Sequence, residues 1–166
     1  MTIHEDSESK NGFHFLYPST LFVSQVPFNI HTLLGSCIAV CLFDPLLKCG
    51  GMNHYMVPFW NGEGLESPRY GNIAIEMLAG KMAHLGSQNR NMIAKVFGGG
   101  SVIGETTINI GERNIQVAET VLKKLNVRIV ATSVGGDQGR KIVFNTSTGE
   151  VLMKYISKNN SLQSSK

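Results

Sequence analysis

The sequence consists largely of short apolar runs separated by turn residues, and this spacing limits the possible folds more than any other feature. Seven runs have the composition of β-strands. A turn at Asp44-Pro45 and another at residues 145–149 separate neighbouring runs. The predicted strands cover residues 21–26, 38–43, 51–57, 93–97, 127–134, 141–144 and 151–156.

Helical spacing of apolar residues occurs in only two segments. In residues 69–85, the predicted apolar face carries Ile73, Met77, Leu78 and Met82, and Gly86 follows as a stop signal. Residues 111–125 show the same period. Many strands with two helices predict an α+β fold with a layered, mostly antiparallel or mixed β-sheet core and the two helices covering sheet faces.

The length of 166 residues suits one domain, and no linker interrupts the pattern. We therefore expect a single domain over residues 13–157. The segments 1–12 and 158–166 are rich in Ser, Asn, Lys and Glu, which predicts loose termini.

Charge and composition exclude several classes of function. Lys and Arg number 15 against 12 Asp and Glu, and no dense basic block is present, so no nucleic-acid partner is expected. No apolar run approaches the ~20 residues that cross a bilayer, so no direct membrane insertion is expected. The three cysteines follow a polar start, which favours reduced thiols in the cytoplasm.

The most informative segment places Cys37 and His54 on adjacent predicted strands. A turn at residues 44–48 would fold the second strand back along the first and bring the two side chains together. A nearby imidazole can take the thiol proton, stabilise the thiolate that acts as nucleophile, and later protonate leaving ammonia. The ring needs a third group to orient it, and the nearest polar candidate is the hydroxyl of Thr32.

The small residues before the cysteine strengthen this interpretation. Gly35 and Ser36 would allow close approach of a substrate and leave main-chain N–H groups free to bind an oxyanion. The purely structural alternatives are that Gly35 and Ser36 form a tight turn before a strand and that Cys37 packs as a small apolar group.

Three further features have both a functional and a structural interpretation. Gly98 and Gly99 belong to a glycine loop that is either the rim of the site or a plain turn, and no phosphate-loop lysine follows it. Residues 111–114 mark a helix start, where Arg113 or Asn114 can bond a neighbouring loop. The glycine-rich segment 135–141 is either a contact with substrate or partner or an exposed hairpin loop.

Two other cysteine chemistries are disfavoured by the spacing. Cys41 and Cys49 join Cys37 and His54 as possible zinc ligands, but the sequence has no Cys-x-x-Cys pair. The same absence argues against a thiol redox protein. We therefore expect neither a metal nor another cofactor.

Five motifs, taken in order, resemble those of the chemoreceptor glutamine deamidase family CheD. They are Leu-Gly-Ser-Cys-Ile-Ala-Val-Cys-Leu-Phe-Asp-Pro, Gly-Gly-Met-Asn-His-Tyr-Met-Val-Pro, Lys-Val-Phe-Gly-Gly-Gly, Ile-Gly-Glu-Arg-Asn and Val-Gly-Gly-Asp-Gln-Gly-Arg-Lys. The joint match is far more specific than any single motif.

The resemblance implies an enzyme that converts selected glutamines of methyl-accepting chemotaxis receptors to glutamates. It places the family's catalytic residues on Cys37, His54 and Thr32. Some members carry the threonine one position further from the cysteine, where this chain has His31, so either residue is a candidate to orient His54. Hydrolysis of glutamyl methyl esters is chemically close to the same reaction. The resemblance also implies an alternative function, a binding module that docks on the phosphatase CheC.

Overall fold

The computed structural model describes residues 11–101 and 109–157 as two β-sheets and two α-helices. The helices are α1, Gly71–His84, and α2, Ile110–Lys124, and a short 3₁₀ helix covers Asn89–Asn91. The strands are β1 Gly12–Phe15, β2 Thr20–Ser24, β3 Phe28–Leu34, β4 Ile38–Asp44, β5 Cys49–His54, β6 Ile93–Gly98, β7 Arg128–Val134, β8 Gly139–Asn145 and β9 Val151–Ile156.

The strands form one four-stranded sheet, in the order β1-β3-β8-β9, and one five-stranded sheet, in the order β2-β5-β4-β6-β7. Both sheets are mixed, since β1 pairs with β3 and β6 with β7 in parallel, while the remaining pairs are antiparallel. The predicted α+β class with a layered sheet core is confirmed.

The central strand β4 is buried on both faces, and its side chains alternate between two apolar clusters. Val40 and Leu42 belong to the cluster that contains residues of α1 and α2. Ala39 and Cys41 belong to the cluster that contains residues of the four-stranded sheet. The five-stranded sheet therefore lies between the helices on one side and the four-stranded sheet on the other. This layering follows from strand period two, which sends successive side chains to opposite faces.

All seven predicted strands and both predicted helices are present, with ends shifted by a few residues. The sequence pattern missed β1 and β3. In β3 the outward Leu33 is half exposed while the inward Thr32 is buried, so the polar-apolar alternation that marks a strand is lost. Of the predicted loose termini, only Asn11 and Gly12 lie within the described residues, and Gly12 begins β1. Neither described helix is long and apolar enough to span a membrane.

Candidate active site

A buried hydrogen bond joins the two sheets at Thr32 and His54. Thr32 lies on β3 and points toward the five-stranded sheet, as do Ile30 and Leu34 in the same apolar cluster. His54 is the last residue of β5. The Oγ1 atom of Thr32 lies 2.7 Å from Nδ1 of His54, and the two residues are 1% and 2% exposed. The pair is therefore held where competing water is scarce.

The carbonyl of Leu16 decides which atom donates in this pair. The hydroxyl of Thr32 donates to that carbonyl at 2.7 Å. Because a hydroxyl has a single proton, it must then accept from His54, and Nδ1 carries the ring proton. In the neutral imidazole the other nitrogen, Nε2, is left with a free lone pair. The geometry therefore fixes the tautomer in which Nε2 can act as a base.

The strand register places Cys37 on the same face as His54. Ile38 and Tyr55 form an antiparallel bridge, with hydrogen bonds of 3.1 and 3.0 Å in the two directions. Extending this register makes Cys37 and His54 diagonal neighbours on the face that meets the four-stranded sheet; such neighbours have Cα atoms roughly 7–8 Å apart. Cys37 is partly exposed, whereas Cys41 and Cys49 are buried. Only the first of the three thiols is open to a substrate.

The pairing of β4 with β5 is interrupted beside His54. Continuous pairing runs from Asp44 back to Cys41 and resumes only at the Ile38 bridge. In the gap, the Oδ1 atom of Asn53 accepts the main-chain N–H of Val40 at 2.9 Å. A side chain thus replaces a main-chain partner in the ladder and satisfies a buried donor. The two strands are held at this point by the amide of Asn53.

Burial disfavours the charged forms of both Cys37 and His54. It raises the pKa of the Cys37 thiol above its ordinary value. It also lowers the pKa of His54 from 6.5 to about 4. Both pKa shifts favour a neutral thiol and a neutral imidazole at neutral pH. These directions favour proton transfer from the Cys37 thiol to Nε2 of His54 during an attack over a thiolate formed beforehand.

The glycine loop after β6 holds the turn that carries Cys37. The N–H of Gly99 donates to the carbonyl of Cys37 and that of Gly100 to the carbonyl of Gly35, both at 2.9 Å. Gly98 has a φ of 109°, and a β-carbon there would collide with the carbonyl oxygen of Cys37. Only glycine fits at this position.

These contacts change the set of oxyanion donors expected from the sequence. The N–H of Gly99 is engaged with Cys37 and so is not available to an oxyanion. Among the described residues, the main-chain N–H groups of Gly35, Ser36 and Cys37 donate no hydrogen bond. These three groups remain the candidates to bind an oxyanion.

His31, the alternative orienting residue, lies on the outer face of the four-stranded sheet. It alternates with Thr32 along β3, and its ring packs against Phe13 with centroids 4.6 Å apart. Strand geometry therefore points its side chain away from His54.

The segment 135–141 connects β7 of one sheet with β8 of the other, so it is not a hairpin loop, although Gly136 and Asp137 at its tip are exposed as expected from the sequence. The N–H of Gly135 donates to the carbonyl of Gly98 at 2.9 Å. Nη2 of the buried Arg140 donates to the carbonyl of Gly135 at 2.8 Å. The segment thus supports the glycine loop from outside. Contact of this segment with another protein stays a prediction.

Two contributors to the site escaped the sequence analysis. The carbonyl of Leu16 has no sequence signal, because any residue can supply a main-chain acceptor. Asn53 stands in the motif around His54, but only the strand register shows where its amide points. Within residues 11–101 and 109–157, no three His, Cys, Asp or Glu side chains are grouped so that they could hold a metal ion.

Comparison with known proteins gives the family. The family model described as CheD chemotactic sensory transduction matches residues 56–155, more than half of the chain. The chain belongs to the CheD family. This matched segment begins just after His54, so the comparison with whole relatives is needed to cover the catalytic candidates.

Those relatives span nearly the whole chain. The chain is 46% identical over 147 residues to the "Probable chemoreceptor glutamine deamidase CheD" of Sulfurimonas denitrificans, covering 87% of this chain and 94% of that protein. A protein of the same name from Trichlorobacter lovleyi is 46% identical over 142 residues, covering 84% and 88%. The one from Rhodospirillum rubrum is 40% identical over 144 residues, covering 86% and 81%. Matches of this length necessarily include residues 32–54.

Proposed function

We propose that this protein is a protein-glutamine deamidase that hydrolyses side-chain amides of methyl-accepting chemotaxis receptors through a thioester on Cys37. The observation that carries the proposal is the relay from the Leu16 carbonyl through Thr32 to His54, beside a partly exposed cysteine. This relay leaves Nε2 of His54 free to accept a proton. A cysteine that served only for packing would need no such partner.

The first half of the reaction forms the thioester and releases ammonia. As Sγ of Cys37 attacks the carbonyl carbon of the glutamine side chain, its proton passes to Nε2 of His54. The carbonyl oxygen gains negative charge, and the N–H groups of Gly35, Ser36 and Cys37, which have no acceptor among the described residues, are the candidates to bind it. His54 then returns the proton to the amide nitrogen, the C–N bond breaks, and ammonia leaves.

The second half uses water. With ammonia gone, His54 accepts a proton from a water molecule whose oxygen attacks the thioester carbonyl. The C–S bond breaks, the proton returns to Sγ, and the product is a glutamate side chain. The net change consumes one water and releases one ammonia, so neither a cofactor nor a redox partner is required.

The substrate class comes from the relatives, whose names specify chemoreceptor glutamine deamidases. The proposal places the protein in the cytoplasm, where it meets the cytoplasmic helices of the receptors. Docking on the phosphatase CheC and hydrolysis of glutamyl methyl esters, both raised by the resemblance, stay predictions.

The test is incubation of purified protein with a recombinant cytoplasmic receptor fragment, followed by peptide mass mapping. We expect conversion of particular glutamines to glutamates with matching release of ammonia, and none with Cys37→Ala. Cys41→Ala is the matched control, because it removes a buried thiol from the same strand face. Undiminished conversion by Cys37→Ala would contradict the proposal.

A further inference from the structure

The side chain of Asn114 connects the two chain segments that carry the nucleophile and the base. Its Nδ2 atom lies 3.0 Å from the carbonyl oxygen of Ser36 and 3.0 Å from that of Met56. Ser36 precedes Cys37, and Met56 follows His54 by two residues. Asn114 is fully buried, whereas Ser36 is exposed and Met56 half-buried, so both hydrogen bonds are partly shielded from water.

The NH₂ group of Asn114 matches these two acceptors, whereas its Oδ1 is buried without a hydrogen-bond partner among the described residues. The NH₂ group of asparagine has two protons, and the two carbonyls accept one each. The reverse orientation would place Oδ1 against two other oxygens, so the bonding partners fix the amide orientation. A side chain of the same size without two donors cannot make both bonds. Aspartate has none, and serine has one.

Two glycines allow helix α2 to approach closely enough for these bonds. A β-carbon at Gly111, in the first turn of α2, would collide with the carbonyl oxygen of Gly99. A β-carbon at Gly99 would in turn crowd Ile115 and the carbonyl of Gly111. The helix therefore packs directly against the loop that holds Cys37, and Asn114 reaches the turn from one helical turn further along.

We propose that Asn114 is a positioning residue, which fixes the distance between the Cys37 turn and the segment after His54 so that the thiol proton can reach Nε2. This proposal rests on the proposed function. It assigns the Ile-Gly-Glu-Arg-Asn motif a part in catalysis through two other residues, without contact between Asn114 and the substrate.

The test compares Asn114→Ala with Tyr55→Phe. Tyr55 is also fully buried, and its hydroxyl donates to the main-chain carbonyl of Asn114 at 2.6 Å. Tyr55→Phe therefore loosens the same contact between helix and sheet while both amide bonds of Asn114 remain. Thermal unfolding of each variant shows whether both are folded at the assay temperature.

We expect Asn114→Ala to lower kcat on the receptor fragment by ~100-fold with little change in KM, because a displacement of about 1 Å in a reacting group costs this much. Tyr55→Phe should lose far less. The rate of Cys37 alkylation against pH should follow the wild-type profile in Tyr55→Phe and the His54→Ala profile in Asn114→Ala. If Asn114→Ala does not fold, Asn114→Gln, which keeps both donors but displaces them by one methylene, should show an intermediate kcat.

Equal kcat losses in the Asn114 and Tyr55 variants would overturn the positioning role, as would a wild-type alkylation profile in an Asn114 variant. These outcomes differ from failure of the proposed function itself. That failure would appear as undiminished deamidation by Cys37→Ala, whatever the Asn114 variants do.

Discussion

The relay through Thr32 makes a strong prediction for Thr32→Val, which replaces a hydroxyl by a methyl group of similar volume. The variant keeps the packing between the sheets but removes both hydrogen bonds of the hydroxyl. The Nδ1 proton of His54 and the carbonyl of Leu16 then lose their partners in a buried position. The substitution therefore separates the effect of the hydroxyl from that of a cavity.

The size of the effect follows from these two groups. A buried donor or acceptor left without a partner costs about 1–3 kcal/mol. We expect the free energy of unfolding to fall by roughly 2–4 kcal/mol, as both groups are affected, less any relief by rearrangement. For catalysis, loss of about 1.4–2.8 kcal/mol of preference for the productive ring tautomer and orientation lowers kcat/KM by roughly 10- to 100-fold. His54→Ala should lose more, since it removes the base itself.

The assay is deamidation of a receptor fragment by wild type, Thr32→Val, Thr32→Ser and His31→Ala, with urea unfolding of each. Thr32→Ser keeps the hydroxyl and should retain most of the activity, although it loses a methyl group. His31→Ala alters only the outer face of the sheet and should be nearly as active as wild type. If Thr32→Val matches Thr32→Ser in activity, or if His31→Ala is inactive, the proposal that the Thr32 hydroxyl orients His54 is wrong.

Three further results are expected. Brief treatment with limiting iodoacetamide should label Cys37 before Cys41 or Cys49, because the latter two are buried. Labelling of Cys37 should be slower in His54→Ala. Peptide mapping that finds Cys49 labelled first would count against an activated Cys37. Because the pKa of His54 is lowered from 6.5 to about 4 in the fold, its contribution to stability is complete above pH 6.5 and is lost as pH falls toward 4. Between pH 6.5 and 4, urea unfolding should show a decrease of about 3 kcal/mol in the free energy of unfolding that is due to His54. His54→Gln should lack this decrease. Equal pH dependence in the two proteins would refute the prediction. Gly98→Ala should lower the free energy of unfolding by about 1–3 kcal/mol and impair deamidation, since its β-carbon displaces the Cys37 turn; normal stability and activity would show that the turn adapts.

The sequence predicted those parts of the fold in which local pattern and burial agree. β4 and α2 lie where their apolar patterns predict them, because those residues face apolar clusters. On α1, Ile73, Leu78 and Met82 are buried as predicted, but Met77 is 39% exposed. β3 was missed because it carries an inward threonine and an outward leucine, an arrangement required by the relay and by the outer face. A strand that supplies a polar group to a buried site departs from the pattern used to find strands.

The candidate site also has parts that the sequence predicts and parts that it does not. Cys37 and His54 could be paired from the sequence, since a turn joins their neighbouring strands. The position of Thr32 against the ring depends on contact between two separate sheets. Proximity in the sequence favoured Thr32, but the family resemblance left His31 as an alternative that only the sheet packing could decide. The bonds of Asn114 arise from a helix that begins more than fifty residues after His54. The local periodicity of the sequence does not predict such long-range contacts.

The most direct test of the account is to trap the covalent intermediate. A reaction with a glutamine-containing receptor fragment, quenched in acid within the first turnover, should contain enzyme joined to the fragment with loss of one ammonia. Peptide mapping should place the bond on Cys37, and added hydroxylamine should divert the product from glutamate to the hydroxamate. Deamidation that proceeds at the full rate with no adduct on Cys37 and no hydroxamate would contradict the thioester mechanism.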